Sequence, residues 1–197
     1  MNAAPVFGRA YGGLKQMLRE GRAPPGSRLD PAALSATLVA SVTPVRDALH
    51  RLAGERLVTA TSDGFHVPAL SEPDLRDLYA WNHQLLLLAL RASRQSRAGF
   101  LPTPSQEAHP ADMVEALFAA IGRAANNREQ LLAIEGVNDR LHAVRRAELR
   151  VLDRIDEELA DLIAADLRAL RSLIGRYHRR RIAAAPELVR ALYRQRN

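Results

Sequence analysis

The 197-residue sequence predicts a mostly α chain, with an N-terminal winged helix-turn-helix domain in residues 1–68 (its elements over about 6–68) and an all-helical antiparallel bundle in 69–197. Three observations predict it. Apolar residues recur at helical spacing along most of the chain, and aspartate or threonine before proline (Asp30-Pro31, Thr43-Pro44) marks helix starts. Two short β-prone runs meet at Ser62-Asp63-Gly64. After Val67-Pro68 the strand signals stop.

The elements follow in order. Tyr11, Leu14, Met17 and Leu18 give Val6 to Gly21 an amphipathic helical period, closed by Gly21, and Ala23-Pro24-Pro25-Gly26 breaks the chain after it. Asp30 before Pro31 starts a short helix to about Val39, because the carboxylate accepts orphan first-turn amides and proline has no amide to lose there. Thr43-Pro44 repeats that signal, so a third helix is expected from Pro44 to Ala53, with Val45, Ala48, Leu49 and Leu52 on one face and Gly54 as its stop. Leu57 to Thr61 and Phe65 to Val67 form the hairpin. Ser71 with Asp74 opens a helix expected to reach about Ala98, and Phe100 to Pro110, with three prolines, reads as a loop. Further helices are expected at Asp112–Ala125, Arg128–Arg150 and Asp153–Ala165, with another opened by Asp166 and a last one after Pro186.

Composition narrows the function. No cysteine is present, which removes disulfides, a thiol nucleophile, iron-sulfur clusters and cysteine-ligated zinc. Apolar runs such as Leu85 to Leu90, none longer than six residues, are far short of the roughly 20 residues of a membrane helix, and Met1 to Arg9 lacks signal-peptide features, so a cytoplasmic protein without membrane contact is expected. Nothing matches a nucleophile elbow, a phosphate loop, a dinucleotide fingerprint or a His-Glu-x-x-His motif, and an enzyme is not expected. The formal charge is +6, and 27 of the 28 basic residues are arginine, a balance that favours polyanionic partners. Residues 168–197 hold nine basic side chains and only Glu187, which reads as a solvated helix face. Asp153, Asp156, Glu157, Glu158 and Asp161 are spaced around a helix surface, where salt links to arginines are expected.

Three segments, Gly21 to Leu29, Ser41 to Leu52 and Gly54 to Val58, resemble the GntR family of bacterial transcription regulators, and the likeness runs continuously over residues 6–68. The stretch from Leu70 to Tyr79 looks like the opening of the helical effector-binding and dimerisation domain of the FadR-type (FCD) branch. The resemblance implies a homodimeric, sequence-specific regulator that binds a double-stranded DNA operator, pairs through the helical domain and takes a small-molecule effector there. In a helix-turn-helix the second helix brings its N-terminal residues to base edges, which places Ser41, Thr43 and Arg46 at the DNA. Arg46 could fork onto a guanine edge or pair with a phosphate. His50 and Arg51, a turn further on, would reach the backbone, and Gly64, Phe65 and His66 form the wing tip. Against the family pattern, Val42 and Ala32 stand where arginines are usual, and Ser62-Asp63 where basic residues are frequent.

Many FCD relatives hold a metal through an Asp-x-x-x-His pair and two later histidines. Here the pair falls on Val114 and Phe118, which cannot ligate, and the later positions fall near Asp156 and on His178, so neither metal nor other cofactor is expected. A family arginine becomes Asn82. The expected effector pocket is therefore Asn82, Phe118, Asp156 and His178, more apolar than in relatives. Asp139 and His142, three apart, share a helix face as a surface pair. Two alternatives stay open: a winged-helix module that has lost strong DNA reading and binds proteins, motivated by Val42 and Ala32, and a metal-binding helical protein.

Overall fold

The computed structural model describes residues 3–93 and 108–194. The end of the helix expected to reach Ala98 and most of the Phe100 to Pro110 loop lie outside the described residues. The element order is α1 (Ala3–Arg19), β1 (Arg28–Leu29), α2 (Pro31–Thr37), α3 (Val42–Gly54), β2 (Thr59–Thr61), β3 (Gly64–His66), α4 (Glu72–Ala92), α5 (Pro110–Ala124), α6 (Arg128–Glu148), α7 (Ile155–Ala164), α8 (Leu167–Ala183) and α9 (Ala185–Tyr193). The chain divides into two compact units between Leu70 and Ser71, and Leu192, Tyr193 and Arg194 group with the first. The molecule is mostly helical with a small N-terminal wing sheet.

In the N-terminal unit, Ala10, Leu14 and Leu18 form one ridge of α1 and pack on Val45, Ala48, Leu49 and Leu52 of α3. Each large aliphatic side chain removed from water there contributes about 1.5–3 kcal/mol. The expected hairpin is present as β2 and β3, with Ala60 opposite Phe65. Sequence reading missed β1, a two-residue strand antiparallel to β3 with Leu29 opposite Phe65, which makes the sheet three-stranded in the order β1-β3-β2. Phe65 turns inward and closes the core under α3.

The helix ends correct two expectations. The N-cap of α3 is Ser41, not Thr43: the helix begins at Val42, and Thr43 is its second residue. Nor does Gly54 stop it. Gly54 is the last helical residue, and Arg56, at φ 60°, takes the left-handed position while the amides of Arg56 and Leu57 bond back to Ala53 and Leu52. The same paired bonds end α1 at Gly21 (φ 70°), as expected, and α2 at Val39 (φ 50°). Left-handed backbone suits glycine and strains a β-branched residue, so Val39 is held there against its own preference.

Caps that are local in sequence fall where expected. Asp30 accepts from the Ala32 amide, Ser71 and Asp74 form a capping box, and Asp166 accepts from the Ala169 amide. In the helical unit, α4 packs on α5, α6 and α8, and α5 on α6 and α7. The basic run of α8 is not wholly a solvated face. Arg181 is 1% exposed, stacks on the Tyr177 ring 3.3 Å from its centroid, and donates to Glu148 at 2.8 and 3.0 Å and to Glu158 at 2.8 Å. Tyr79 donates to the other oxygen of Glu148 at 2.6 Å. A buried ion pair is tolerated only with such complete bonding.

Candidate nucleic-acid interface

The side chains of α3 divide by helical geometry. With Val45, Ala48, Leu49 and Leu52 turned inward, the 100° step leaves Thr43, Arg46 and His50 on the opposite face, and all three are exposed. Ser41, just before the helix, is exposed as well and makes no side-chain cap bond. The Arg46 guanidinium has no hydrogen bond or ion pair among the described residues. His50 sets its ring edge-on to Phe65, 4.8 Å between centroids, which ties α3 to the wing.

Arg51 behaves differently. Its guanidinium lies 4.6 Å from the Tyr11 ring centroid, and its Nε is 3.4 Å from Glu55 Oε1. Glu55 also accepts from Tyr11 Oη at 2.7 and 2.9 Å and from Lys15 Nζ at 3.2 Å. Partial burial opposes ionisation of Glu55, but the bonds from Tyr11 and Lys15 outweigh it and hold its pKa below the usual carboxylate value. Expected at the DNA backbone, Arg51 is turned toward α1 as part of the clasp that joins α1 to α3.

At the wing, Gly64 has φ 127°, a conformation that L side chains rarely adopt, so the turn requires glycine. His66 is half-buried, with Nε2 3.7 Å from Asp63 Oδ2. A hydrogen bond from Thr61 comes first in holding the Asp63 carboxyl below its ordinary pKa, and the nearby His66 and Arg28 add to it. Arg28 went unremarked in the sequence. Through β1 it sits opposite His66, and its Nε and Nη2 lie 3.8 Å from where a Cβ on Gly64 would be. An exposed arginine thus stands over the wing turn. Its two-residue strand carries no period, and its pairing partner is 38 positions away.

In the helical unit, three of the four expected pocket residues come together. Asn82 Oδ1 lies 3.0 Å from His178 Nε2 and 3.3 Å from Arg145 Nη2, and the His178 ring stacks on Phe118 with centroids 5.8 Å apart. Asp156 does not join them, because it is exposed on the first turn of α7, the face its helix gives to solvent. Burial first, and then the charges of His83, Arg145 and Arg181, push His178 down to about 3 although a bond to the Ile174 carbonyl opposes this, so the ring is neutral near pH 7. A neutral imidazole has one N–H and donates either to Ile174 or to Asn82. Sequence reading also missed Arg145, which is 2% exposed, lies 5.2 Å from the Phe118 ring centroid, and donates to the amide oxygens of Asn138 and Asn82. Among the described residues, Arg145 Nε, Asn82 Nδ2 and Tyr177 Oη find no hydrogen-bond partner.

Elsewhere in this unit a cleft of about 410 Å³ is lined by Asp153, Arg154, Glu157, Glu158, Asp161, Arg176 and Arg180. Its charges are joined as the spacing led us to expect, Arg154 to Glu157, Arg176 to Asp161 and Arg180 to Asp153. His142, expected on a surface face with Asp139, is buried with Nδ1 2.9 Å from Glu115 and Nε2 3.4 Å from Asp112. Among the described residues no group of three or more histidines and carboxylates is placed to hold a metal ion, and no helix is long and apolar enough to cross a membrane.

A winged helix-turn-helix with an open reading face, followed by a helical unit, defines a class of DNA-binding fold. Residues 8–66 match the bacterial regulatory proteins of the gntR family, so the N-terminal unit is a GntR-type domain. No curated protein matches the sequence. Among solved structures, the chain resembles Escherichia coli McbR/YncC (TM-score 0.68, 20% identity, 92% of this chain and 97% of that one). It also resembles a putative GntR transcriptional regulator from Rhodococcus sp. RHA1 (TM-score 0.66, 20% identity, with the same 92% and 97% coverage). At this identity the likeness shows a shared fold over nearly the whole chain.

Proposed function

We propose that the protein is a one-component transcription regulator, in which the winged unit of residues 1–68 reads a double-stranded DNA operator and the helical unit of residues 69–197, of the FadR (FCD) type, pairs two copies and senses a small molecule. The observation that carries this reading is the free, exposed Arg46 on the outward face of α3 in a GntR-type domain. Thr43 and His50 share its face, and Ser41 flanks it. Arg28, Gly64 and His66 extend the surface along the wing and suit phosphate contact. Acting on DNA, such a regulator works in the cytoplasm and needs no catalytic group.

Pairing is supported by Trp81 and Leu88, 51% and 44% exposed and seven residues apart on α4, with exposed Gln84 between them on the same ridge. A two-fold pair would double the few base pairs that one short helix covers. Effector sensing is supported by the cluster around Asn82, Phe118 and His178, where, among the described residues, a buried guanidinium donates to neutral amide oxygens and three polar atoms lack a partner. That arrangement favours a ligand with acceptor oxygens. An effector that binds one arrangement of the bundle more tightly would shift the spacing of the two reading units.

The test is selection of duplexes from a random library by the full-length protein, followed by an electrophoretic shift titrated with salt. A recovered consensus and a falling log–log affinity slope are expected. Failure to enrich any sequence, with a slope near zero, would favour the protein-interaction alternative.

A further inference from the structure

We infer that Val42 is a specificity residue that reads the 5-methyl group of a thymine within about two base pairs of the base or phosphate met by Arg46, an inference that rests on the DNA-reading function proposed above. Among the described residues, six large apolar side chains are exposed. Trp81, Leu88, Leu132 and Leu149 belong to the helical unit. The other two, Val39 at 87% and Val42 at 38%, are three residues apart around the start of α3. In the N-terminal unit, exposed large apolar surface is thus confined to the end of the helix that would enter a groove.

Val42 is the first residue of α3, so Val42, Arg46 and His50 follow at i, i+4 and i+8 along one ridge. A recognition helix brings its N-terminal residues nearest to the bases. Its first side chain here is a valine, without donor or acceptor. Of everything the major groove displays, only the thymine C5-methyl offers an apolar partner, while a guanine or cytosine edge facing a valine would lose water without gaining a bond. The minor groove has no such group. Neighbours at i and i+4 are about 6 Å apart, so the thymine would lie about two base pairs from the position met by Arg46.

Thymine and deoxyuridine pair identically and differ only in that methyl, which gives the probe. Duplexes selected by the full-length protein are remade with each thymine in turn replaced by deoxyuridine, and binding is measured for the wild type, Val42→Ala, Val42→Thr and Val39→Gly. One thymine per half-site is expected at which deoxyuridine weakens wild-type binding about fourfold, the equivalent of one buried methyl. Val42→Ala should bind the thymine duplex more weakly and ignore the replacement. Val42→Thr, which keeps a methyl on Cβ, should remain sensitive, and Val39→Gly should keep the wild-type profile. If Val42→Ala retains the sensitivity, if it follows Val39, or if no thymine shows it while sequence-specific binding persists, the methyl assignment falls and DNA reading stands. If no duplex is selected, both fall.

Discussion

Two arginines five positions apart on α3 have opposite fates, and the difference lies in who their neighbours are. Arg51 leans on Tyr11 and Glu55, whereas Arg46 has no such anchor. Arg46→Ala is therefore expected to leave folding intact and to cost about 1–3 kcal/mol of operator binding with a flattened base preference. An equal loss on every duplex, with the salt slope shallower by about one, would make Arg46 a phosphate clamp. Val39 supplies a second residue-level prediction. Its left-handed backbone costs about 1–2 kcal/mol for a side chain with Cβ, and at 87% exposure it gains almost no burial in return. Val39→Gly should raise the urea midpoint of the N-terminal unit, whereas Val39→Ala, which keeps the Cβ, should not.

Within single elements, the parts legible in advance were those whose cause is local. Asp30, Ser71 with Asp74, and Asp166 cap the helices they precede because the acceptor and the amides it serves lie within three residues. In the sequence, Thr43 before Pro44 was the start signal for α3. The structure uses Ser41, which lets proline sit at the third helical residue, still inside the first turn where its missing amide is harmless. β1 could not be read at all, because two residues have no period and its partner lies in the wing. In α8 the titration of His178 leads to a pH prediction. Its folded pKa, about 3, is below the 6.5 of an exposed histidine, so the unfolded chain binds the extra proton. Stability of the helical unit is fully present above pH 6.5 and falls by up to about 1.4 kcal/mol per pH unit as pH drops from there toward 3. The groups facing the ring, Asn82, His83, Tyr79, Phe118 and Tyr177 with Arg145 and Arg181 nearby, provide no carboxylate in contact to offset that. Chemical denaturation across this range should show the slope, and His178→Gln should flatten it.

For the whole molecule, the proposed regulator needs two reading units and therefore a pairing surface. If the α4 ridge provides it, Leu88→Asp should turn a dimer into a monomer in sedimentation equilibrium while the helical circular dichroism stays unchanged, since the side chain is already 44% exposed. Affinity for a two-half-site operator should fall with it, and affinity for one half-site should not. A monomeric wild type would remove the pairing proposal directly.

The sequence by itself determined the helices and the hairpin, because helical period, proline starts and the Asp-Gly turn act over a few residues, and it determined the likeness of residues 6–68 to GntR regulators. Tertiary structure alone decided which polar side chains are spent inside the fold. Arg181 is committed, Arg145 is buried beside Asn82, Arg51 leans on Tyr11 from the surface, and Asp156 is left in solvent. The reason is distance along the chain: Tyr11 and Glu55 are 44 residues apart, Asn82 and His178 are 96 apart, and a spacing pattern says nothing about partners that only folding brings together.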